Sequence, residues 1–172
     1  YTYMLPHISL FVSLLINYYY PRLQNTSVGF ISEKTRLDIS PAKYAFSIWG
    51  LIYLGLILLV FLKKNWDNSS IMLFVLSCVF NSLWIIVWLR KPQSNTNNIY
   101  LGNIILPLIT VTLLMFWFNN LTSNLNSKEA IYNTIFQNII ALYAGWCIGA
   151  SLINTGITAK NLFNVSQKNI SY

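Results

Sequence analysis

Three apolar segments of the chain repeat one arrangement of aromatic and amide side chains. Residues at positions i, i+3 and i+7 share one face of a helix, because successive residues advance by about 100°. The residues with this spacing are Phe46, Trp49 and Tyr53, then Asn81, Trp84 and Trp88, then Tyr143, Trp146 and Ala150, with Asn154 one turn further. Indoles, phenols and amides on facing helices stack on a flat ring and hydrogen-bond its polar edge. The pattern predicts a binding site for a flat hydrophobic ligand.

Residues for catalysis or metal binding are scarce by comparison. The acidic residues Glu33, Asp38, Asp67 and Glu129 all lie in polar connecting segments, so no paired carboxylate is available inside an apolar segment. His7 is the single histidine and has no second ligand at a metal-binding spacing. The sequence contains no phosphate-binding glycine loop, Cys-x-x-Cys motif or nucleophile elbow. We therefore predict no catalytic residue, no metal and no required cofactor, and an enzyme is the less favoured class.

The composition indicates a membrane protein. Of 172 residues, 55% are hydrophobic and 9% are charged, whereas about 25% are charged in a typical soluble domain. The net charge of +7 could suit nucleic acid, but the basic residues lie singly or in pairs between apolar segments rather than on one face. The predicted partner is the lipid bilayer, and no nucleic acid is expected.

Five apolar stretches approach the roughly 20 residues that a helix needs to cross a bilayer. They cover residues 4–20, 41–62, 71–89, 99–118 and 133–156. They predict an all-α fold, a five-helix transmembrane bundle that forms a single domain over residues 1–172. Pro41 is predicted in the first turn of the second helix, with Ser40 as its cap. Because the first residue is Tyr, we expect the N-terminus to be incomplete.

The distribution of lysine and arginine predicts how the bundle is oriented. Eight basic residues lie on the side that carries the 21–40 loop, the 90–98 loop and the C-terminal tail. The other side carries Lys63, Lys64 and Lys128. Since basic loops favour the cytosol, the C-terminus and the 21–40 loop are predicted to be cytosolic. The sequence leaves open which membrane is involved.

The depth of the aromatic residues suggests that they meet. Trp49 lies eight residues from Pro41, and Asn81 and Trp146 lie eight residues from the corresponding ends of their helices. At about 1.5 Å per residue, all three are roughly 12 Å from the same membrane surface. We expect the rings to enclose a cavity that the 21–40 loop covers. Packing of the rings against neighbouring helices is the alternative.

Other residues in these segments have simpler interpretations. Trp66, Trp88 and Trp117, at or just past helix ends, are expected to be anchors at the headgroup level. Gly145 and Gly149 have the spacing of a G-x-x-x-G motif, which permits close helix contact. We expect their face of the last helix to pack against a neighbour, opposite the face that lines the cavity.

The segments "ISPAKYAFSIWGLIYLGL", "NSLWIIVW" and "YAGWCIGASLIN" resemble the TspO/MBR family, the tryptophan-rich sensory proteins related to the translocator protein. The resemblance implies a five-helix bundle, often a homodimer, with a pocket beneath the first loop that binds tetrapyrroles, sterols or synthetic aromatic ligands. It also implies binding roles for residues that match the family motifs, which are Trp49, Tyr53, Asn81, Trp84, Trp146, Ala150, Ser151 and Asn154. Members are proposed to degrade bound porphyrin with a pocket tryptophan, which corresponds here to Trp146.

The pattern predicts a multi-pass membrane protein that binds a flat hydrophobic ligand, and the resemblance implies a porphyrin, haem or a sterol as that ligand and a role as sensor, receptor or regulator. The indoles of Trp49, Trp84 and Trp146 would stack on the ligand. The amides of Asn81 and Asn154 would orient its polar edge. Lys34, Arg36 or Lys43 near the mouth would pair with carboxylates of a tetrapyrrole. Three alternatives stay open: a transporter of such ligands, a light-dependent porphyrin-degrading enzyme, and a packing subunit without a cavity.

Overall fold

The chain folds into helices that are joined by the polar stretches of its sequence. The computed structural model describes residues 2–35, 37–63, 65–90, 96–121 and 127–163. Short 3₁₀ turns at Thr2–Met4 and Lys43–Ser47 precede the first and third helices. The described part contains no β-strand, so the predicted all-α fold is confirmed. Its helices are α1 (Leu5–Leu23), α2 (Val28–Lys34), α3 (Ile48–Leu62), α4 (Asn68–Leu89), α5 (Thr96–Asn119) and α6 (Ser127–Phe163).

Among the described residues, four segments are long and apolar enough to cross a membrane, namely Tyr44–Leu62, Asn68–Leu89, Ile99–Asn119 and Ala130–Lys160. The 19-residue α1 has the length but carries His7, Asn17 and Arg22 among its apolar side chains. The described residues thus contain four candidate spans, and the predicted first span, α1, packs against α3 and α4 but is less apolar. The last helix is longer than the predicted 133–156 segment, because its polar ends continue the same helical hydrogen bonding over 37 residues.

The five long helices form a closed ring. Going around it, α1 packs against α4, α4 against α5, α5 against α6, α6 against α3, and α3 against α1. The backbone of α3 therefore lies between α1 and α6, and its side chains reach α4 across the centre of the bundle. The short α2 lies outside the ring, against α4 and the 3₁₀ turn that leads into α3. This arrangement brings the aromatic faces of α3, α4 and α6 together.

The chain reverses direction between α1 and α2. Asn25 has a φ of 47°, in the left-handed region that asparagine tolerates better than most residues. The N–H groups of Asn25 and Thr26 each donate to a carbonyl of the last turn of α1 over 3.1 Å, which is the pattern of a Schellman cap. Ser27 then caps α2 by accepting the N–H of Phe30 over 3.2 Å. These local bonds direct α2 across the end of the bundle.

The predicted helix start at Pro41 is wrong. Ser40 closes a turn instead, because its hydroxyl accepts the N–H of Leu37 over 3.0 Å and its own N–H donates to the carbonyl of Leu37 over 2.9 Å. Ala42 is extended, with φ −63° and ψ 151°, and α3 begins only at Ile48 after the 3₁₀ turn. Serine and proline favour turns as strongly as helix starts, so the pair alone did not distinguish the two.

Gly55 on α3 allows close contact with α6. A Cβ added at Gly55 would lie 2.5–2.9 Å from three side-chain atoms of Ile139, whereas one added at Gly50 would meet nothing within 4 Å. We expect Gly55→Ala to lower the free energy of unfolding by about 1–3 kcal/mol through overpacking. Gly50→Ala is the matched control and should leave it unchanged or raise it by up to about 1 kcal/mol. Unfolding in mixed detergent micelles measures both, and equal stability of the two variants would contradict this packing.

Candidate functional site

The three aromatic faces predicted from sequence meet around Trp49. Its ring stacks on Tyr53 of the same helix, with centroids 5.4 Å apart, and on Trp84 of α4 at 5.9 Å. From α6, Tyr143 and Trp146 approach it edge-on at 5.6 and 6.5 Å. Offset stacked and edge-to-face pairs at these distances are the favoured arrangements of aromatic rings. Trp49 is therefore packed among other rings and does not face empty space.

A cavity of about 200 Å³ lies beside this aromatic cluster. Five of the predicted site residues line it: Phe46, Trp84, Trp146, Ala150 and Asn154. Phe46 projects from the 3₁₀ turn before α3 and meets Trp146 edge-on at 5.7 Å. The rings thus border a void on one side and pack against each other on the other side. The last of the three alternatives, a packing subunit without a cavity, does not describe this structure.

The other four predicted residues lie behind the cavity wall, in the centre of the bundle. Asn81 and Tyr143 are 1% and 2% exposed. Trp49 and Tyr53 are half-buried and pack against the same core. None of these four lines the cavity. They support the residues that do, because Trp49 touches both Trp84 and Trp146.

Asn81 joins three helices by hydrogen bonds. Its side-chain oxygen accepts from Asn17 over 2.8 Å and from Ser13 over 3.3 Å, both on α1. Tyr53 on α3 donates to the oxygen of Asn17 over 2.7 Å and lies 3.4 Å from that of Asn81. A buried amide needs such partners, because an unbonded polar group in an apolar medium costs several kcal/mol. The network fixes α1, α3 and α4 at the level of the Trp49 cluster.

Asn154 makes the corresponding connection between α6 and α5. Its amide nitrogen donates to the carbonyl of Ile99 over 2.8 Å and also to the side-chain oxygen of Asn103. Asn103 in turn donates to Thr158 over 2.7 Å. Gly102 provides the room, since a Cβ there would lie 2.9 Å from the amide nitrogen of Asn154. The side-chain oxygen of Asn154 is buried without a partner among the described residues and belongs to a residue that lines the cavity.

The segment between α1 and α3 covers the cavity. Val28 and Ser32 of α2 and Ile39 of the following turn line it, as does Pro41. The predicted 21–40 cover thus corresponds to α2 and the turn after it. Described lining residues are apolar, aromatic or neutral polar, and none carries a charge. Of the basic residues predicted at the mouth, Lys34 is exposed, while Arg36 and the side chain of Lys43 lie outside the described residues.

Two sequence interpretations of cavity residues are wrong. Trp88 is 9% exposed, lines the cavity and stacks on Trp84 at 6.2 Å, so it is not a headgroup anchor. Gly145 and Gly149 also line the cavity, and a Cβ added to either would meet nothing within 4 Å. Their face therefore borders space instead of packing against a helix of this chain. The i+7 spacing of Trp88 from Asn81 was the available signal, and its place at the helix end obscured it.

The described residues hold no group of three or more histidine, cysteine or acidic side chains that could bind a metal ion. His7 packs edge-on against Phe61 of α3 at 5.5 Å, away from the cavity. Cys78 and Cys147 are buried and free. What the site offers chemically is aromatic surface, together with the indole N–H groups of Trp84 and Trp88, which are buried without a partner among the described residues.

Replacing Asn81 tests the network that holds the site. Asn81→Leu removes the acceptor shared by α1 and α3, and we expect a loss of about 0.6–1.7 kcal/mol in stability, the range measured for hydrogen bonds between membrane helices. Asn138→Leu, at an exposed position of α6, is the matched control and should cause no loss. Thermal unfolding in detergent compares the two. A variant at Asn81 as stable as the control would show that the network contributes nothing.

Comparison with known proteins agrees with the resemblance in the sequence. A protein-family profile described as TSPO-like protein matches residues 3–171, nearly the whole chain. No curated protein and no solved structure gave a match. The profile covers all six helices and every residue of the cavity wall described above. The chain belongs to the TSPO-like family, as the three sequence segments predicted, and is an integral membrane protein of that family.

Proposed function

We propose that this protein binds a flat hydrophobic molecule in the cavity beneath α2, with a tetrapyrrole as the first candidate and a sterol as the second. One observation carries the proposal: a void inside a membrane bundle is walled by the rings of Phe46, Trp84, Trp88 and Trp146. Ligand sites are typically concave, mostly aromatic or apolar, and supplied with a few polar groups. Membership of the TSPO-like family supports the same conclusion.

The polar groups of the wall suit recognition of a ring edge. Trp84 and Trp88 have indole N–H groups to donate, and Asn154 has an oxygen to accept. A buried polar atom without a partner is destabilising, so a ligand that supplies the missing acceptors and donor recovers that free energy. The remaining wall is apolar and stacks on ring faces. Carboxylates of a tetrapyrrole would stay at the mouth, near the exposed Lys34, because none of the described lining residues carries a charge.

A tetrapyrrole fits the cavity only if α2, which covers it, moves. Its volume of about 200 Å³ is below the roughly 300–1,000 Å³ of small-molecule sites. A tetrapyrrole would therefore have to displace α2 or the turn after it. The seven-residue α2 is the shortest helix described and contacts α4 and the 3₁₀ turn only along one side. Such a short element shifts at less cost than a long helix of the ring.

The interior beyond the cavity favours a sensor or receptor over a carrier. A carrier must open the site to each side of the membrane in turn. Behind the cavity wall the described part of the bundle is filled by Trp49, Tyr53, Tyr143 and the Asn81 network. Transport of the ligand across the membrane would require the helices of that packed core to separate. We propose binding with a response at α2, on the side predicted to be cytosolic, in a monomer or a homodimer.

Titration of the purified protein with protoporphyrin, followed by tryptophan fluorescence, tests this function. We expect saturable quenching. In Trp146→Ala the dissociation constant should rise about tenfold, which corresponds to losing about 1.4 kcal/mol of ring contact. Trp117→Phe is the matched control, because Trp117 contacts Phe118 on α5 and does not line the cavity. Its affinity should equal that of the unaltered protein.

The outcomes of this titration separate the alternatives. Absence of saturable quenching, or equal affinity of the Trp146 and Trp117 variants, would overturn tetrapyrrole binding in this cavity. Displacement of the porphyrin by a sterol would assign the cavity to both ligand classes. Loss of the Soret band on illumination, abolished in Trp146→Ala, would assign the light-dependent degradation that the family resemblance suggests. Porphyrin uptake into liposomes would favour a carrier.

A further inference from the structure

A second crevice lies at the end of the bundle opposite the cavity. It is formed where the end of α3, the end of α5 and the first turns of α6 come together, and it has room for about 10 Å³. Its base is apolar, made by Leu59, Phe116, Phe136 and Ile140. Its rim is polar, made by Lys63, Asn120, Asn133 and Gln137. The apolar segments of α3 and α5 end at this level, which places the rim near the headgroups of a bilayer.

Lys63 carries a positive charge that the described residues do not neutralise by direct contact. Its ammonium group donates to the neutral side-chain oxygen of Asn120 over 2.8 Å and lies 5.6 Å from the ring of Trp66. Burial lowers the pKa of Lys63, and the charge of Asp67 opposes this from a distance. An ammonium has three N–H donors, so at least one is free for an anionic oxygen. A partly desolvated cation gains strongly from such a partner.

Asp67 is already engaged elsewhere. One carboxylate oxygen accepts the N–H of Ser70 over 3.0 Å, which caps α4, and the amide of Asn119 over 3.1 Å. Burial raises the pKa of Asp67, but these hydrogen bonds outweigh it and keep the pKa below its ordinary value. The carboxylate is therefore committed to closing the end of α4 against α5. Among the described residues, the ammonium of Lys63 therefore has the amide oxygen of Asn120 as its hydrogen-bond acceptor.

Two amides complete the rim. Gln137 has a buried side-chain oxygen with no partner among the described residues. Exchange of its oxygen and nitrogen, which have nearly the same shape, would present an N–H donor at the same place. The side chain of Asn133 donates one N–H to the carbonyl of Asn120 over a long distance of 3.3 Å and has a second N–H to donate. The rim thus combines one cation with amide donors, as sites for phosphate oxygens do.

We propose that this crevice, defined by Lys63, Asn120, Asn133 and Gln137, binds the phosphate of an anionic lipid headgroup. Its volume admits one oxygen atom, since about 10–15 Å³ is needed to hold a water. The rest of the headgroup would lie at the membrane surface, with the acyl chains in the surrounding bilayer. A lysine with neighbouring amide donors holds a phosphate oxygen by charge-assisted hydrogen bonds. The site is separate from the cavity and independent of the ligand proposed there.

The test measures the thermal unfolding midpoint of the purified full chain in a neutral detergent. Phosphatidylglycerol, phosphatidylcholine with the same acyl chains, or inorganic phosphate is added at equal concentration. We expect phosphatidylglycerol to raise the midpoint by several degrees, through preferential binding to the folded state, and native mass spectrometry to show retained lipid. Lys63→Gln should lose both effects, whereas Lys63→Arg should keep them. Lys160→Gln removes a charge near the other end of the bundle and is the matched control.

Each arm has a defined meaning. A rise in Lys63→Gln equal to that of the unaltered protein would overturn the site, as would an equal rise with phosphatidylcholine, which would indicate general solvation by lipid. An equal rise with inorganic phosphate, lost in Lys63→Gln, would assign the same residues to free phosphate and overturn the lipid. A cooperative unfolding transition of Lys63→Gln without added lipid shows that the variant is folded and keeps this test independent of porphyrin binding in the cavity.

Discussion

Hydrogen bonds of two buried amides, Asn81 and Asn154, join the helices of this membrane bundle and organise the structure. A buried amide without partners costs several kcal/mol, so Asn81 brings Ser13, Asn17 and Tyr53 to one point and thereby joins α1, α3 and α4. Asn154 connects α6 to α5 by the same principle. With the helices held at two points, the aromatic faces of α3, α4 and α6 meet around Trp49.

The cavity results from unequal side-chain sizes on facing helices. One wall carries the large rings of Trp84 and Trp88, while α6 presents Gly145, Gly149 and Ala150. Close-packed interiors leave little empty volume when large and small residues interdigitate. Here the small residues of α6 face space instead of a ring, and α2 lies across it. The same cluster therefore contains packed indoles and indoles that border a void.

The two ends of the bundle differ in chemistry and so in their proposed partners. At the cavity end the described wall is neutral and aromatic, which suits a flat hydrophobic molecule. At the opposite end Lys63 and neighbouring amides surround a narrow crevice, which suits an oxyanion at the membrane surface. The cavity side carries eight basic residues and the other side three, which is why the cavity side is predicted to be cytosolic. Lys63 is partly buried, so solvent screens its charge less than that of an exposed lysine.

The membrane setting and the all-helical fold followed from the residues alone, because hydropathy and helical periodicity are local properties of a chain, and three motif segments indicated the family. It also identified which side chains share a face, so Trp49, Trp84 and Trp146 were expected to meet. Which of them border the cavity was evident from the packed bundle alone, because it depends on the rotation of each helix against its neighbours. Trp49 therefore packs against the core, whereas Trp88 and Gly145 line the cavity. The start of α3 could likewise not be predicted from sequence, because Ser40 and Pro41 suit a turn as well as a helix cap.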